Sequence, residues 1–323
     1  MKAYVYATGG AAIADVPEPA APQGPQVLIR VHACGLNRAD IGMTRGHAHG
    51  AAGGPGTVLG MEWAGEVTAV GPEARGVAVG DRVMGSGAAA FAAHTLADHG
   101  RLFPIPDGMS YEEAATLPLA LTTMHNAVVT NGMLQDGQSV LVQGASSGVG
   151  LMALQIARLK GARPVIGSST TPERRSQLAR FGADLAIDSR DGGWVDRVLA
   201  ATEGRGVDLI IDQISGSVAN QNLRATRVLG RIVNVGRLGG SHADFDFDTH
   251  AARRITYVGV TFRSRTMEEI RAIFRAVRDD IWPAVESGHL KLPIDRVFPF
   301  AEIGAAFAHM AANRHLGKIV VAL

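Results

Sequence analysis

Three glycines in Gly144-Ala145-Ser146-Ser147-Gly148-Val149-Gly150 carry the clearest chemistry in this chain. They stand between a short apolar run, residues 139–143, and an apolar segment of helical character, residues 151–160. In that context a glycine turn is suited to a dinucleotide pyrophosphate. Gly144 can make the tight turn, Gly148 has no side chain to block phosphate, and Gly150 lets the helix approach the sheet. The phosphates would meet unpaired N–H groups, Val149 among them, at the positive end of the helix dipole. Ser146 and Ser147 add hydroxyls that can donate. The bland alternative is an ordinary strand-to-helix turn. A triphosphate site is not supported, because no Gly-x-x-x-x-Gly-Lys-[Ser/Thr] occurs.

The end of the next strand bears on which dinucleotide. A site for NAD usually places Asp or Glu about 20 residues beyond the turn, against the ribose diol. Residues 168–171 are instead Ser168, Ser169, Thr170 and Thr171, with Arg174 and Arg175 just beyond. Hydroxyls at Ser169 and Thr170 with the Arg174 guanidinium suit a 2′-phosphate and favour NADPH. Glu173 is the dissenting residue. By the rule that ligands bind at strand ends beside a topological switch point, Ile214, Asn234 and Val235 also face the cofactor.

Other chemistries find less. None of Tyr4, Tyr6, Tyr111 and Tyr257 has lysine four residues on, so a phenol–lysine proton donor is absent. Cys34 is the single cysteine, which excludes an intrachain disulfide and a four-cysteine zinc lobe. Cys34 with His47, His49 and an acid could be drawn as a zinc site, but the Gly and Ala around those histidines suggest a loose loop. No His-x-x-x-His or His-Glu-x-x-His pattern occurs. What remains is metal-free hydride transfer, which asks for positioning and a polar cavity to bear charge on oxygen. A carbonyl conjugated to a C=C fits that demand.

These residues need elements to hold them. From residue 139 the chain alternates short apolar runs with helical segments: strands at 139–143, 164–167, 185–187, 207–211 and 230–235, and helices at 151–160, 172–181 and 194–202. That alternation predicts a parallel sheet with crossover helices, an α/β Rossmann-type unit. Residues 1–115 read as strands and turns, including 27–33, 66–70 and a strand–turn–strand at 77–84. Ser110 with Glu113 forms a capping box for a helical stretch to Asn131, which Pro118 must interrupt or kink. Residues 255–262 read as a last strand at a sheet edge, a candidate dimer contact. A helix at 267–287 follows, then mixed strands and a helix at 301–313 that rejoin the N-terminal unit.

The whole chain sets bounds. Its 323 residues, 46% hydrophobic, are enough for two domains. Lys and Arg number 31 against 30 Asp and Glu, with no basic run, which argues against a nucleic-acid groove. No apolar stretch reaches the roughly 18–20 residues of a membrane span. The N-terminus shows no signal-peptide pattern, so a cytoplasmic protein without membrane or nucleic-acid partners is expected.

The order and spacing of several short stretches resemble the zinc-free branch of the medium-chain dehydrogenase/reductase superfamily, the quinone oxidoreductase-like proteins. They are residues 35–40, 60–67, 80–83, 115–119 with Thr122 and Thr123, 140–150, 181–184, 206–208, 229–231 and 317–321. The resemblance covers nearly the whole chain. It implies a GroES-like β-rich domain formed from both chain ends (1–118 and 266–323) around a Rossmann-type NADPH-binding domain (119–265). It also implies NADPH-dependent reduction of quinones or conjugated carbonyls by a homodimer. Zinc-dependent relatives carry cysteine where this chain has Asn37, and histidine where it has Met61, so no metal is expected. Glu62 persists and is expected to hold backbone or a charged partner.

By the same resemblance, Asn37 sits near the nicotinamide, and Asp40 has a supporting role. Asn37 could equally cap residues 36–40. Thr123 lies beside the cofactor, and Asn37 and Thr123 are the catalytic candidates, with the proton delivered either by a water held near one of them or by the cofactor's ribose hydroxyls. Thr170 and Arg174 match 2′-phosphate contacts. Phe262, Arg263 and Arg265 match a loop that closes beside the nicotinamide, and Lys318 matches a C-terminal cofactor-side position. Asp188-Ser189 stands where many relatives carry a tyrosine against the adenosine. Trp63 is expected in the core, Met43 and Arg45 at the substrate mouth, and residues 41–56 as either a lid or a loose turn. Two rival readings stay open: an atypical zinc alcohol dehydrogenase, and a non-catalytic NADPH-binding redox sensor.

Overall fold

Apolar runs without alternation must be covered on both faces, and residues 140–143 and 165–168 are buried throughout. In the computed structural model, which describes residues 1–7, 9–48 and 54–323, they lie inside a six-stranded parallel sheet. The chain forms two compact units, Met1–Thr122 with Phe262–Leu323, and Thr123–Thr261.

The strands of the second unit are Val140–Gln143, Val165–Ser168, Leu185–Ile187, Val207–Asp212, Thr226–Asn234 and Thr256–Gly259. Across the sheet they run third, second, first, fourth, fifth, sixth, all parallel. That is the doubly wound order, with its switch point between the first and fourth strands. One row of side chains crosses all six: Leu185, Ile166, Leu141, Ile210, Ile232 and Tyr257. Four of them, Leu141, Ile166, Ile210 and Ile232, are fully buried with Trp194 and Val198 of the Trp194–Ala201 helix and Leu223 of the Ala219–Ala225 helix. Each such aliphatic side chain contributes about 1.5–3 kcal/mol by leaving water.

The first unit is antiparallel apart from one pair. Its main sheet runs Ile294–Pro299, Lys318–Ala322, Gln26–Gly35, Glu62–Val70, Arg82–Ser86, Leu102–Pro104, with His94–Asp98 also on Gln26–Gly35. The expected joining of the chain ends is a strand pairing: Val320, Val321 and Ala322 lie opposite Gly35, Cys34 and Ala33. Trp63 is fully buried in this unit's core, as expected.

Several boundaries differ from the sequence reading. Residues 77–80 are not a strand: Val79 is 63% exposed, and the Asp81 carboxylate accepts from the Ala78 N–H to close a turn with Gly80 at φ +92°. Pro118, which lacks an N–H, begins a new helix, Pro118–His125, after the short Tyr111–Ala114 helix capped by Ser110 and Glu113. Residues 172–181 form only a short helix, Pro172–Arg175, and a tight turn, Leu178–Phe181, ended by left-handed Gly182. The edge strand is Thr256–Gly259, shorter than 255–262. Met43, expected at the substrate mouth, is buried in the first unit's core. Residues 49–53, and with them His49 and the centre of the proposed lid, lie outside the described residues.

Candidate functional site

The glycine turn begins where the first strand of the second unit ends. Gly144 has φ +72°, a backbone conformation that disfavours any side chain. At Gly150 a Cβ would stand 2.5 Å from the Gly144 carbonyl oxygen, so only glycine lets the helix Gly148–Leu159 start this close to the strand. Ser147 caps that helix: its Oγ accepts from the Gly150 N–H at 3.1 Å. The Ser147 hydroxyl proton goes to Gly144 O or Gln213 Oε1, both at 3.0 Å. Hydroxyl donation from Ser147 is thus committed within the protein, while the first-turn N–H groups of Gly148 and Val149 have no intrahelical acceptor. Ser146 and Ser169 are brought together by a hydroxyl–hydroxyl bond of 3.0 Å.

Around the turn runs a buried polar network that the sequence did not announce. Ser168 accepts from the Gly144 N–H and donates to Gln143. Gln143 donates to Asn222, and Asn222 to Asp212 Oδ2 at 3.1 Å. The other oxygen of Asp212 accepts the N–H groups of Ile214 and Ser215 at 2.8 and 2.9 Å. Burial raises the Asp212 carboxyl above its usual range, and these bonds oppose the rise. Ser215 is held at φ +59°, rare for a side chain larger than glycine, by bonds from its Oγ to Gly236 O and from Asn234. Ile214, Asn234 and Val235 therefore do gather at the strand ends, with Ile214 over Gly144.

At the end of the second strand no carboxylate stands among residues 168–171. Arg174 donates to Thr171 Oγ1 at 2.5 Å. Arg175 turns away to Ser169 O and to Asp188 at 3.0 Å. A third arginine, Arg190, joins from the loop after Leu185–Ile187: it pairs with Asp188 and donates to the Thr170 carbonyl. The sequence reading missed Arg190, because only the pairing of the second and third strands brings residue 190 beside residue 170. Asp188 thus anchors both Arg175 and Arg190.

The first unit buries a separate, charged cluster. Lys318 Nζ donates to Glu62 Oε2 at 2.5 Å and to Asn37 Oδ1 at 2.9 Å. Glu62 is fully buried and also accepts from Asn37 Nδ2 at 3.0 Å and from the Leu119 N–H at 2.7 Å. Glu62 thus holds both backbone and a charged partner. Asn37 Nδ2 also donates to Gly35 O at 3.2 Å, so both amide protons of Asn37 and its carbonyl are engaged. The backbone N–H of Asn37 donates to Asp40 Oδ2 at 2.8 Å, at the start of the helix Arg38–Met43. Asp40 Oδ1 has no partner among the described residues, and burial pushes the Asp40 carboxyl up to about 7.

The cluster's donors do not suit zinc. Cys34 is buried, donates its S–H to Ala90 O at 2.9 Å, and is held well above the usual thiol range by burial. The Glu62 oxygens are taken, and an ammonium stands where a cation would enter. Among the described residues no three of His, Cys, Asp and Glu are placed to hold a metal together.

Thr123 is half-buried and opens the second unit, whereas Asn37 belongs to the first. Phe262, Arg263 and Arg265 also belong to the first unit, and Arg265 lies 3.7 Å from Glu269. No helix among the described residues is long and apolar enough to cross a membrane.

Comparison with known proteins agrees with both units. Residues 23–117 match the alcohol dehydrogenase GroES-like domain, and residues 148–278 the zinc-binding dehydrogenase family. A component of the phenolphthiocerol/phthiocerol polyketide synthase of Mycobacterium tuberculosis is 32% identical over 304 residues, 94% of this chain. The chain spans only 14% of that much longer protein. A solved alcohol dehydrogenase superfamily protein from Novosphingobium aromaticivorans is 30% identical, with a TM-score of 0.89 over 100% of this chain and 99% of that one. A quinone oxidoreductase from Pseudomonas syringae pv. Tomato (25% identical, TM-score 0.88) matches over 100% of both chains. CurK enoyl reductase (26%, 0.87) matches over 99% of both. With both domain families matched in order and whole-length likeness to solved members, this chain belongs to the medium-chain dehydrogenase/reductase superfamily of oxidoreductases, among its quinone oxidoreductase-like proteins.

Proposed function

We propose that this chain is an NADPH-dependent, metal-free reductase of quinones or α,β-unsaturated carbonyl compounds. The observation that carries the reading is the closed Lys318–Glu62–Asn37 cluster, whose polar atoms are spent on one another and on backbone and are not turned to a metal. Bound at the glycine turn, NADPH would supply a hydride. The protein's part is to present the first-turn N–H groups of Gly148–Leu159 to the pyrophosphate and hydroxyls and guanidinium to the 2′-phosphate. Those last come from Ser169, Thr170 and Arg174, with Arg190 on the Thr170 carbonyl. Hydride added to the far carbon of a conjugated carbonyl leaves charge on its oxygen, and a proton from solvent completes the product. Thr123 is the polar candidate on the second unit for ordering that water.

Enoyl compounds enter the class through the solved enoyl reductase that this chain resembles. Among the described residues the edge strand Thr256–Gly259 pairs on one side, and it is the proposed homodimer contact. The reading is tested by following reduced-nicotinamide absorbance with quinones, enones, enoyl thioesters and simple aldehydes, beside metal analysis. Turnover of conjugated acceptors by zinc-free protein is expected. Alcohol oxidation restored by one tightly held zinc overturns it, as does binding of NADPH without turnover of any acceptor. Arg174→Ala is expected to weaken NADPH about tenfold while leaving NADH nearly unchanged, because a lost charge-assisted bond acts on the 2′-phosphate alone.

A further inference from the structure

A groove of about 760 Å³ lies within the first unit, between the strands Arg82–Ser86 and Leu102–Pro104 and the helix Met267–Glu286. Val77, Val83, Leu102, Ile105 and Phe274 give it an apolar lining. Five arginines stand around it: Arg75, Arg82, Arg271, Arg275 and Arg278. Two are neutralised. Arg271 makes two bonds to Asp98, at 2.9 and 2.6 Å, and Arg275 pairs with Glu268 at 2.8 Å.

The other three are held by carbonyl oxygens. Arg82 donates to Met109 O at 2.6 Å and lies over the Tyr111 ring. Arg278 donates to Leu102 O at 2.7 Å. Arg75 donates to Pro72 O at 2.9 Å and Ala74 O at 2.8 Å. A carbonyl fixes the direction of a guanidinium without cancelling its charge. Two further carboxylates line the groove, Asp81, already tied to the Ala78 N–H, and Asp107. Among the described residues the groove is therefore lined by three arginines without a carboxylate partner against two further carboxylates, beside its apolar side chains.

We propose that this groove binds a phosphate monoester with an apolar body, at a site apart from the dinucleotide turn. A phosphate dianion presents three oxygens to planar guanidinium forks, which a single carboxylate cannot match. The apolar lining takes the ester's organic part and sets it apart from free phosphate. All the lining residues belong to the first unit and the glycine turn to the second, so the two sites are separable by substitution.

Calorimetric titration of the full chain with phenyl phosphate tests this, with inorganic phosphate and phenol as its two halves. Arg75 and Arg278 are exposed and bond only backbone, so Arg75→Ala and Arg278→Ala keep the fold, which an unchanged thermal transition verifies. Saturable binding of phenyl phosphate is expected, weaker for each half, and reduced about tenfold by either substitution. No binding at millimolar probe overturns the proposal. Binding unchanged in both variants also overturns it, since the probe then sits elsewhere, as at the glycine turn.

Discussion

The two units each bury a polar cluster, by opposite means. The first unit uses full charges, Lys318 against Glu62, with Asn37 bonded to both. The second uses neutral hydroxyls and amides around one carboxylate, Asp212, which two backbone N–H groups and the Asn222 amide satisfy. A buried ion pair gains stability only while both partners stand, because each alone is an uncompensated charge out of water. A network of neutral groups loses about one hydrogen bond at a time. The first cluster is therefore the more brittle of the two.

The largest expected effect follows from that brittleness. Lys318→Met leaves Glu62 fully buried without its cation, and is expected to lower stability in urea unfolding at neutral pH by about 3–5 kcal/mol. The double variant Glu62→Gln, Lys318→Met removes both charges and is expected to recover at least half of the loss. A single variant that loses less than about 1 kcal/mol would mean that the pair is solvated and the contrast between the units false.

The carboxylates of the two units sharpen the contrast. Both are raised by burial, but Asp40 has one oxygen without a partner among the described residues, and its carboxyl reaches about 7 from a usual 3.8. Below that folded value the native state keeps a proton that the unfolded chain has lost. Stability therefore falls as pH rises from about 4 to about 7 and is level above. Between pH 5 and pH 8 the loss is about 2–3 kcal/mol, at about 1.4 kcal/mol per pH unit. Asp40→Asn cannot titrate, so its unfolding free energy is expected to lack that slope. A variant that keeps the slope assigns it to other groups, Asp212 first among them.

The same contrast explains what the sequence discloses. The second unit's strands were legible because burial on both faces leaves unbroken apolar runs, and Leu185–Ile187 falls where the pattern places it. Gly144 and Gly150 were legible because the first has a φ that favours glycine and the second has no room for a Cβ. Glu62 was legible through its place in a family pattern, not through its neighbours. The helix Ala219–Ala225 was hidden because Asn222 faces inward to join the network, which breaks the apolar period. Arg190 and Asp212 act through residues brought close by strand pairing, and no local spacing records that. Val77–Val79 misled in the other direction: a β-branched run reads as a strand even where it is an exposed turn.

Ser147 gives the smallest and most discriminating test. Its hydroxyl was expected to face phosphate, yet the structure commits it to capping Gly148–Leu159 and to Gly144 O or Gln213. Ser147→Ala removes one cap, at a cost of about 1 kcal/mol in unfolding. The anion-facing donors are the first-turn N–H groups, which the substitution keeps, so dinucleotide affinity is expected to change by less than about threefold. An affinity loss of tenfold or more with unaltered stability would return the hydroxyl to the phosphate. Loss of stability with little loss of affinity would place Ser147 with Ser168 and Gln143, among the neutral groups that hold the turn in shape and leave binding to its backbone.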